Sequence, residues 1–238
     1  LASYDASISF SRWGAVGWKD LLERGGIAVI LGEPGSGRSY EFKSRCQTIH
    51  DQGNSAFYLE LHRLVQESPA QILDESDGIA FSRWLRSDHQ GIFFLDAVDE
   101  AKLERISDFG RALETFAKAI GKEMGRVSIL ISSRITEWSP ASDASLVCEK
   151  LRFAAPNANK ADADPTDSKK PVLPVHVIAP LDRDQVKKLA AHLEVIDPDT
   201  FIAALDEGHA WEFAHRPLDA CFLVAYWNKH HRIGSLTE

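Results

Sequence analysis

The sequence predicts an α/β fold, in which a mainly parallel sheet of five strands is sandwiched by helices and followed by a small helical domain. Apolar strand-like segments alternate with helical patterns from about residue 17 to about residue 180. The strand segments are continuously apolar, as expected when helices cover both faces of a parallel sheet. Beyond them only helical patterns follow. We therefore expect one domain in residues 1–180 and a second, incomplete helical lid in residues 181–238.

Short apolar runs mark the predicted strands. They lie at residues 27–31, 56–59, 92–95, 127–132 and, more weakly, 175–178. Each run is too short for a typical helix and is rich in β-branched or aromatic residues, which favours a strand.

A helix is predicted between the third and fourth strands, because apolar residues recur there at three- and four-residue steps. These residues are Leu103, Ile106, Phe109, Leu113, Phe116 and Ile120. We expect this helix to pack on the sheet and the chain to leave it at Gly121 and Gly125.

Residues 154–171 (AAPNANKADADPTDSKKP) contain no large apolar side chain and many turn-forming residues. Such a segment cannot bury enough apolar surface to offset the entropy lost on ordering. We therefore expect a mobile surface insertion in the first domain.

Capping patterns predict the helices of the second domain. Asp182 with Gln185 forms a capping box, and Asp197 before a proline suits another helix start. Gly208 suits the end of that helix, and Pro217 is expected to open the last one.

The composition narrows the classes of function. With 27 Lys and Arg against 35 Asp and Glu, the formal net charge of -8 disfavours a strongly basic nucleic-acid surface but is compatible with a local basic patch. No apolar run approaches the roughly 18 residues that span a bilayer. Three widely spaced cysteines favour a reducing, cytoplasmic compartment. Because the sequence opens at Leu1 without a signal-peptide pattern, we expect it to be part of a longer protein.

A glycine-rich segment, GEPGSGRS from Gly32 to Ser39, follows the first predicted strand. It has the spacing of a phosphate-binding loop, in which glycines let backbone N–H groups surround phosphates and the next helix directs its positive end at the anion. The alternative is a glycine-rich turn without a ligand. We expect a nucleotide to contact the residues from the loop into the helix. They are Gly32, Pro34, Gly35, Ser36, Gly37, Arg38, Ser39 and Tyr40.

Arg38 stands where this loop normally has a lysine. A guanidinium keeps the positive charge for the β- and γ-phosphates, but it is planar and bulkier than an ammonium group. We therefore expect nucleotide binding to persist and hydrolysis to be slow. Ser39 is expected to place its hydroxyl on a bound Mg²⁺.

Three acidic residues, Asp96, Asp99 and Glu100, follow the third predicted strand. Ligands of open α/β sheets bind at the carboxyl ends of the strands, so Asp96 is expected to hold Mg²⁺. Glu100, or otherwise Asp99, is expected to polarise an attacking water. The alternative is a solvated acidic turn after a buried strand.

Arg134 ends the fourth strand. There it would contact the γ-phosphate or, alternatively, extend from the strand into solvent.

These motifs together resemble the STAND class of P-loop NTPases and, within it, the NACHT family. LGEPGSGRS is similar to the family's Walker A loop, FFLDAVDE to its extended Walker B motif, and ILISSR to its sensor strand. Ala97 and Asp99 match the small residue and the further acid that follow the family's metal-binding aspartate. HRPL resembles the family's short proline motif, whose proline packs near adenine, and this implies that role for Pro217.

The resemblance implies a regulatory switch. Family members exchange ADP for ATP when a sensor domain detects a signal, and then form oligomers that activate an effector domain, in antiphage defence or innate immunity. The partners implied are a nucleotide, further copies of the chain, and sensor and effector domains of the same protein. The chain departs from the family at Arg38 and lacks a counterpart of the winged-helix histidine before Glu238.

Two other classes of function stay open at this point. One is a degenerate interaction scaffold that keeps the loop as structure and does not hydrolyse nucleotide. The other is an ATP-driven motor on nucleic acid of the AAA+ type, which the charge of -8 and the absence of a legible basic stripe disfavour.

Overall fold

The computed structural model describes residues 8–10, 14–102, 106–151 and 173–234 of the 238-residue chain. The strands are β1 Ile8–Phe10, β2 Gly14–Val16, β3 Ile27–Gly32, β4 Ser55–Glu60, β5 Gly91–Asp96, β6 Val127–Arg134 and β7 Val175–Ile178. The helices are α1 Trp18–Arg24, α2 Arg38–Asp51, α3 Pro69–Ile72, α4 Glu75–Trp84, α5 Val98–Lys102, α6 Ile106–Ile120, α7 Ser142–Lys150, α8 Arg183–His192, α9 Pro198–Glu207, α10 Trp211–Ala214 and α11 Pro217–His230. The predicted insertion at residues 154–171 lies outside the described residues.

The chain forms two compact units. The sheet unit comprises Leu1–Gly32 and Arg38–Val177, and the C-terminal unit comprises Glu33–Gly37 and Ile178–Glu238. Within the described residues, no helix is long and apolar enough to cross a membrane.

The sheet confirms the predicted α/β class. Its strand order is β2-β1-β7-β3-β6-β5-β4, and β3 pairs in parallel with both β7 and β6. β5 pairs in parallel with β6 and with β4. The five predicted strands thus form the parallel part of the sheet, with each observed strand within two residues of its predicted ends.

The sequence did not predict β1 and β2, which form an antiparallel pair at the edge of the sheet. Each strand has three residues, too few for an alternating pattern to stand out. The observed sheet therefore has seven strands among the described residues instead of the expected five.

Helices pack on both faces of the sheet unit. On one face, Phe57 and Phe93 contact the rings of Phe81 and Trp84 from α4. α6 adds its predicted stripe to this face. Its fully or nearly fully buried members are Phe109, Leu113, Phe116 and Ile120, whereas Leu103 lies outside the described residues.

The opposite face is covered by α1 and α2. Phe42 of α2 contacts Phe94 of β5, with ring centroids 5.2 Å apart, and also contacts Trp18 of α1 at 6.1 Å. Phe93 and Phe94 are neighbours in one strand and point to opposite faces, as strand geometry requires. β5 is therefore covered from both sides, which explains its continuous apolar sequence.

The C-terminal unit contains the predicted helix starts. Asp182 and Gln185 form a capping box at the start of α8, and Asp197 accepts N–H groups of the first turn of α9. Gly208 caps the end of α9, and α11 begins at Pro217.

Candidate functional site

The loop at Glu33–Gly37 joins the end of β3 to the start of α2. Gly35 and Gly37 have φ angles of +78° and +86°, a region that residues with a Cβ rarely occupy. The N–H of Ser36 donates to the Glu33 carbonyl at 3.1 Å, which closes a tight turn. The two glycines therefore adopt the backbone conformations that a phosphate-binding loop requires of glycine at these positions.

The loop contacts the start of α11 within the C-terminal unit. The N–H of Leu218 donates to the Gly35 carbonyl at 3.2 Å. A Cβ added to Gly35 would lie 3.1 Å from the Cβ of Leu218, and one added to Gly37 would lie 3.6 Å from the Cγ of Pro217. Pro217, which the resemblance placed near the nucleotide, thus lies beside the loop.

Ser36 contributes a buried hydroxyl to the loop. Among the described residues, its Oγ has no hydrogen-bond partner. A buried polar atom of this kind normally has a partner, because leaving it unsatisfied costs about 1–3 kcal/mol. An oxygen-rich ligand held by the loop would supply one.

The first turn of α2 places the other predicted loop residues at the surface. Ser39 and Tyr40 are exposed, with Tyr40 at 61%. The first N–H groups of a helix have no partner within the helix and attract anions. Arg38 differs from its two neighbours, because its side chain is 12% exposed and turns toward Asp99.

Asp96, the last residue of β5, is buried and is held by two hydroxyl groups. The phenol of Tyr58 donates to its Oδ2 at 2.7 Å, and the hydroxyl of Ser132 donates to its Oδ1. Ser132 Oγ in turn accepts the N–H of Ala97 at 2.9 Å, where φ is +66°. Burial and the charge of Asp96 raise the pKa of Tyr58, so the phenol keeps its proton and remains a donor.

Asp99 lies between two arginines in the sheet unit. Its Oδ2 is 2.7 Å from Nε of Arg134, and its Oδ1 is 3.5 Å from Nη1 of Arg38. Oδ1 also accepts the backbone N–H of Arg134 at 3.3 Å. Both carboxylate oxygens are therefore engaged.

Glu100 has a more open setting. Its side chain is 48% exposed, and its Oε2 lies 3.4 Å from Nδ1 of His62. The carboxylate is therefore accessible to a water molecule, in contrast to that of Asp99.

The residues present fit a magnesium ion bound together with phosphates. Mg²⁺ is usually held by one or two carboxylates plus phosphates and waters, and the Asp96 carboxylate and the Ser39 hydroxyl are ligands of that kind. The described part of the chain contains no group of three or more His, Cys, Asp or Glu residues that could hold a metal ion. The positive φ angles of Gly35 and Gly37 are also compatible with a loop whose backbone N–H groups bind a phosphate.

The structure thus groups the predicted residues in two places. The sheet unit brings together Arg38, Asp99 and Arg134, with Asp96 at the end of the same strand that leads to Asp99. The C-terminal unit brings Pro217 to the loop.

Two further residues contact the predicted site residues and were not predicted from the sequence. Tyr58 and His62 lie in and just after β4, and they contact Asp96 and Glu100 respectively. The only signal in the sequence is a tyrosine within an otherwise apolar strand, followed by polar residues at its carboxyl end.

No protein-family model matches the chain, and no curated protein matches it. Among solved structures, the chain is similar to the replication initiator DnaA bound to AMPPCP and single-stranded DNA, with 12% identity, a TM-score of 0.49, and coverage of 89% of this chain and 59% of that one. A DNA replication initiation factor has 13% identity, a TM-score of 0.43, and coverage of 73% and 47%. A Walker-type ATPase of Pyrococcus abyssi has 13% identity, a TM-score of 0.46, and coverage of 88% and 65%. The chain therefore spans less than two thirds of the length of each of these proteins.

Proposed function

We propose that the chain is a P-loop NTPase module that binds ATP or ADP with Mg²⁺. The observation that carries this proposal is the loop at Glu33–Gly37, with two glycines at positive φ between a fully buried parallel strand and the first turn of a 14-residue helix. Backbone N–H groups in such a loop bind phosphate without any side-chain charge, and the helix start adds a favourable field.

Each proposed contact has its own chemistry. Main-chain N–H groups around Gly35–Gly37 bind the phosphates, and Arg38 supplies positive charge. Asp96 and Ser39 hold Mg²⁺, which, when bound, neutralises charge on the phosphate oxygens. Tyr58 and Ser132 keep the Asp96 carboxylate oriented by their two hydrogen bonds.

Glu100 is the better candidate for orienting the attacking water. Its carboxylate is half exposed and accessible to water, whereas the side chain of Asp99 is only 5% exposed and is enclosed by two arginines. A water-orienting carboxylate needs an oxygen that can accept a hydrogen bond from the water. With Arg38 in the lysine position, we expect this hydrolysis to be slow.

We further propose that nucleotide binding controls a conformational and oligomerisation switch of the STAND, NACHT-like kind, in antiphage or innate immune defence. The resemblance of three motifs supports this finer proposal, as does the contact between the loop and Pro217. Because α11 begins at Pro217, a change in the loop conformation acts directly on the start of that helix. Sensor and effector domains of the same protein are the expected partners.

Binding of fluorescent ADP in the presence of Mg²⁺ tests the proposed site. We expect Gly37→Asp to abolish detectable binding, because the new carboxylate repels phosphate and occupies the loop. Gly53→Asp is the matched control, since Gly53 has a similar φ of +81° and lies in the turn between α2 and β4 with nothing within 4 Å of an added Cβ. We expect it to bind ADP like wild type.

Asp96→Ala separates the metal contribution from the phosphate contribution. The variant should lose the effect of Mg²⁺ on ADP affinity and retain the metal-independent part. Equal ADP binding by wild type, Gly37→Asp and Asp96→Ala would show that the site is elsewhere. Repeated absence of binding in wild type would favour an interaction scaffold, and ATP turnover stimulated by DNA would favour an AAA+ type motor.

A further inference from the structure

The buried carboxylate of Asp99 lies close to two guanidinium groups. Arg134 approaches it through Nε at 2.7 Å and Arg38 through Nη1 at 3.5 Å, while the Asp99 side chain is only 5% exposed. Asp99 is itself held at the start of α5, next to the buried Val98. A carboxylate held in this way can orient both arginine side chains.

Each arginine retains N–H donors beyond those that Asp99 accepts. A guanidinium has five N–H groups in a planar fork, so one edge can contact Asp99 while another contacts an anion. Arg38 directly follows the loop, and Arg134 pairs in register with Gly32, the last residue of β3. Two guanidinium charges and one carboxylate charge leave a net positive charge, which suits a phosphate group.

We propose that Asp99 is a positioning residue that aligns Arg38 and Arg134 to bind the terminal phosphate of a nucleoside triphosphate, so that the chain distinguishes ATP from ADP. This inference rests on the proposed nucleotide site. It assigns Asp99 a role different from that of a water-polarising base, and it gives Arg38 a charged partner.

The test measures the affinities of the full chain for fluorescent ADP and for a fluorescent non-hydrolysable ATP analogue, both with Mg²⁺. The readout is the ratio of the two dissociation constants. Asp99→Asn keeps the shape of the side chain and removes its charge, and we expect it to lower the preference for the triphosphate by about tenfold.

Arg134→Lys distinguishes positioning from simple charge. The lysine keeps the positive charge, but it lacks the planar fork of N–H groups with which an arginine can contact Asp99 and a phosphate at the same time. We expect the same loss of triphosphate preference in this variant. The double variant Asp99→Asn, Arg134→Lys should lose no more of that preference than either single variant, because both changes disrupt the same arrangement. Asp108→Asn is the control. Asp108 is another buried carboxylate paired with an arginine, Arg111 at 3.0 Å, and we expect its replacement to leave the ratio unchanged.

A wild-type affinity ratio in the Asp99 variant would overturn the inference, whatever Arg134→Lys shows, and would leave the proposed nucleotide site intact. If Asp99→Asn does not fold, as judged by circular dichroism, Asp99→Glu takes its place, because it keeps the charge and changes only the position of the carboxylate. Absence of binding by wild type to either nucleotide would overturn the proposed function and this inference together.

Discussion

His176 is a buried imidazole in a strand of the parallel sheet. It pairs with Ile30 of β3 and is 1% exposed. Burial, with a smaller contribution from the charge of Arg24, lowers the pKa of His176 to about 4. The folded state therefore holds this ring neutral over a pH range in which an unfolded chain would protonate it.

We predict that the free energy of unfolding falls as the pH falls from about 6.5 to about 4.5, by roughly 2 kcal/mol. The sign follows from the lowered pKa: in this range the unfolded state binds the proton that the folded state excludes, so acid favours unfolding. His176→Gln should flatten this part of the profile. Urea denaturation at several pH values measures both, and a slope unchanged by the substitution would contradict the assignment.

At the scale of the element, α4 packs against the start of β5 through Trp84. The indole N–H donates to the His89 carbonyl at 3.0 Å, and the Arg126 guanidinium lies 4.1 Å from the ring centre. A Cβ on Gly91 would lie 2.6 Å from this ring, closer than atoms can approach. Gly91 is therefore required for close packing rather than for an unusual backbone conformation.

Gly91→Ala should destabilise the protein by about 2 kcal/mol, because the indole or the strand must move to admit the methyl group. Gly125→Ala is the matched control, since no atom lies within 4 Å of its added Cβ. Urea unfolding of both variants measures the difference. Equal stability of the two would show that the indole can shift without cost.

Elements with strong local patterns could be predicted from the sequence, and cross-strand contacts could not. α6 and the loop at Glu33–Gly37 were legible because helical periodicity and glycine spacing are local signals. The helices α3, α4 and α7 were not predicted. Their contribution to the core depends on single residues such as Trp84 and Val147 rather than on a repeated stripe.

The candidate site shows the same limit. The sequence indicated Asp96, Asp99 and Arg134 as residues near strand ends, but the pairing of Asp99 with Arg38 spans 61 positions. That contact depends on strand order, which no local pattern encodes. For the same reason Tyr58 was not predicted to hold Asp96, since the two residues meet only because β4 and β5 are neighbours.

At the scale of the whole molecule, acidic residues outnumber basic ones and the net charge is -8. Nucleic-acid binding depends on cations that neutralise phosphates, so a surplus of acid disfavours it.

We predict no saturable binding of a labelled single-stranded oligonucleotide at about 0.15 M salt, where charges more than about 8 Å apart are largely screened. Fluorescence anisotropy measures it, and a fluorescent nucleotide titrated into the same sample provides the positive control. Binding that weakens steeply with added salt would instead indicate a basic patch and would favour an AAA+ type motor on nucleic acid.

The five loop residues Glu33–Gly37 belong to the C-terminal unit although the chain on either side of them belongs to the sheet unit. Dissecting the protein by expressing residues 1–177 and 178–238 as separate fragments would therefore part the Gly35 carbonyl from the Leu218 N–H that donates to it. Neither fragment would contain both the loop and the start of α11 that contacts it. Ligand binding measured on an isolated fragment would therefore not represent binding by the intact chain.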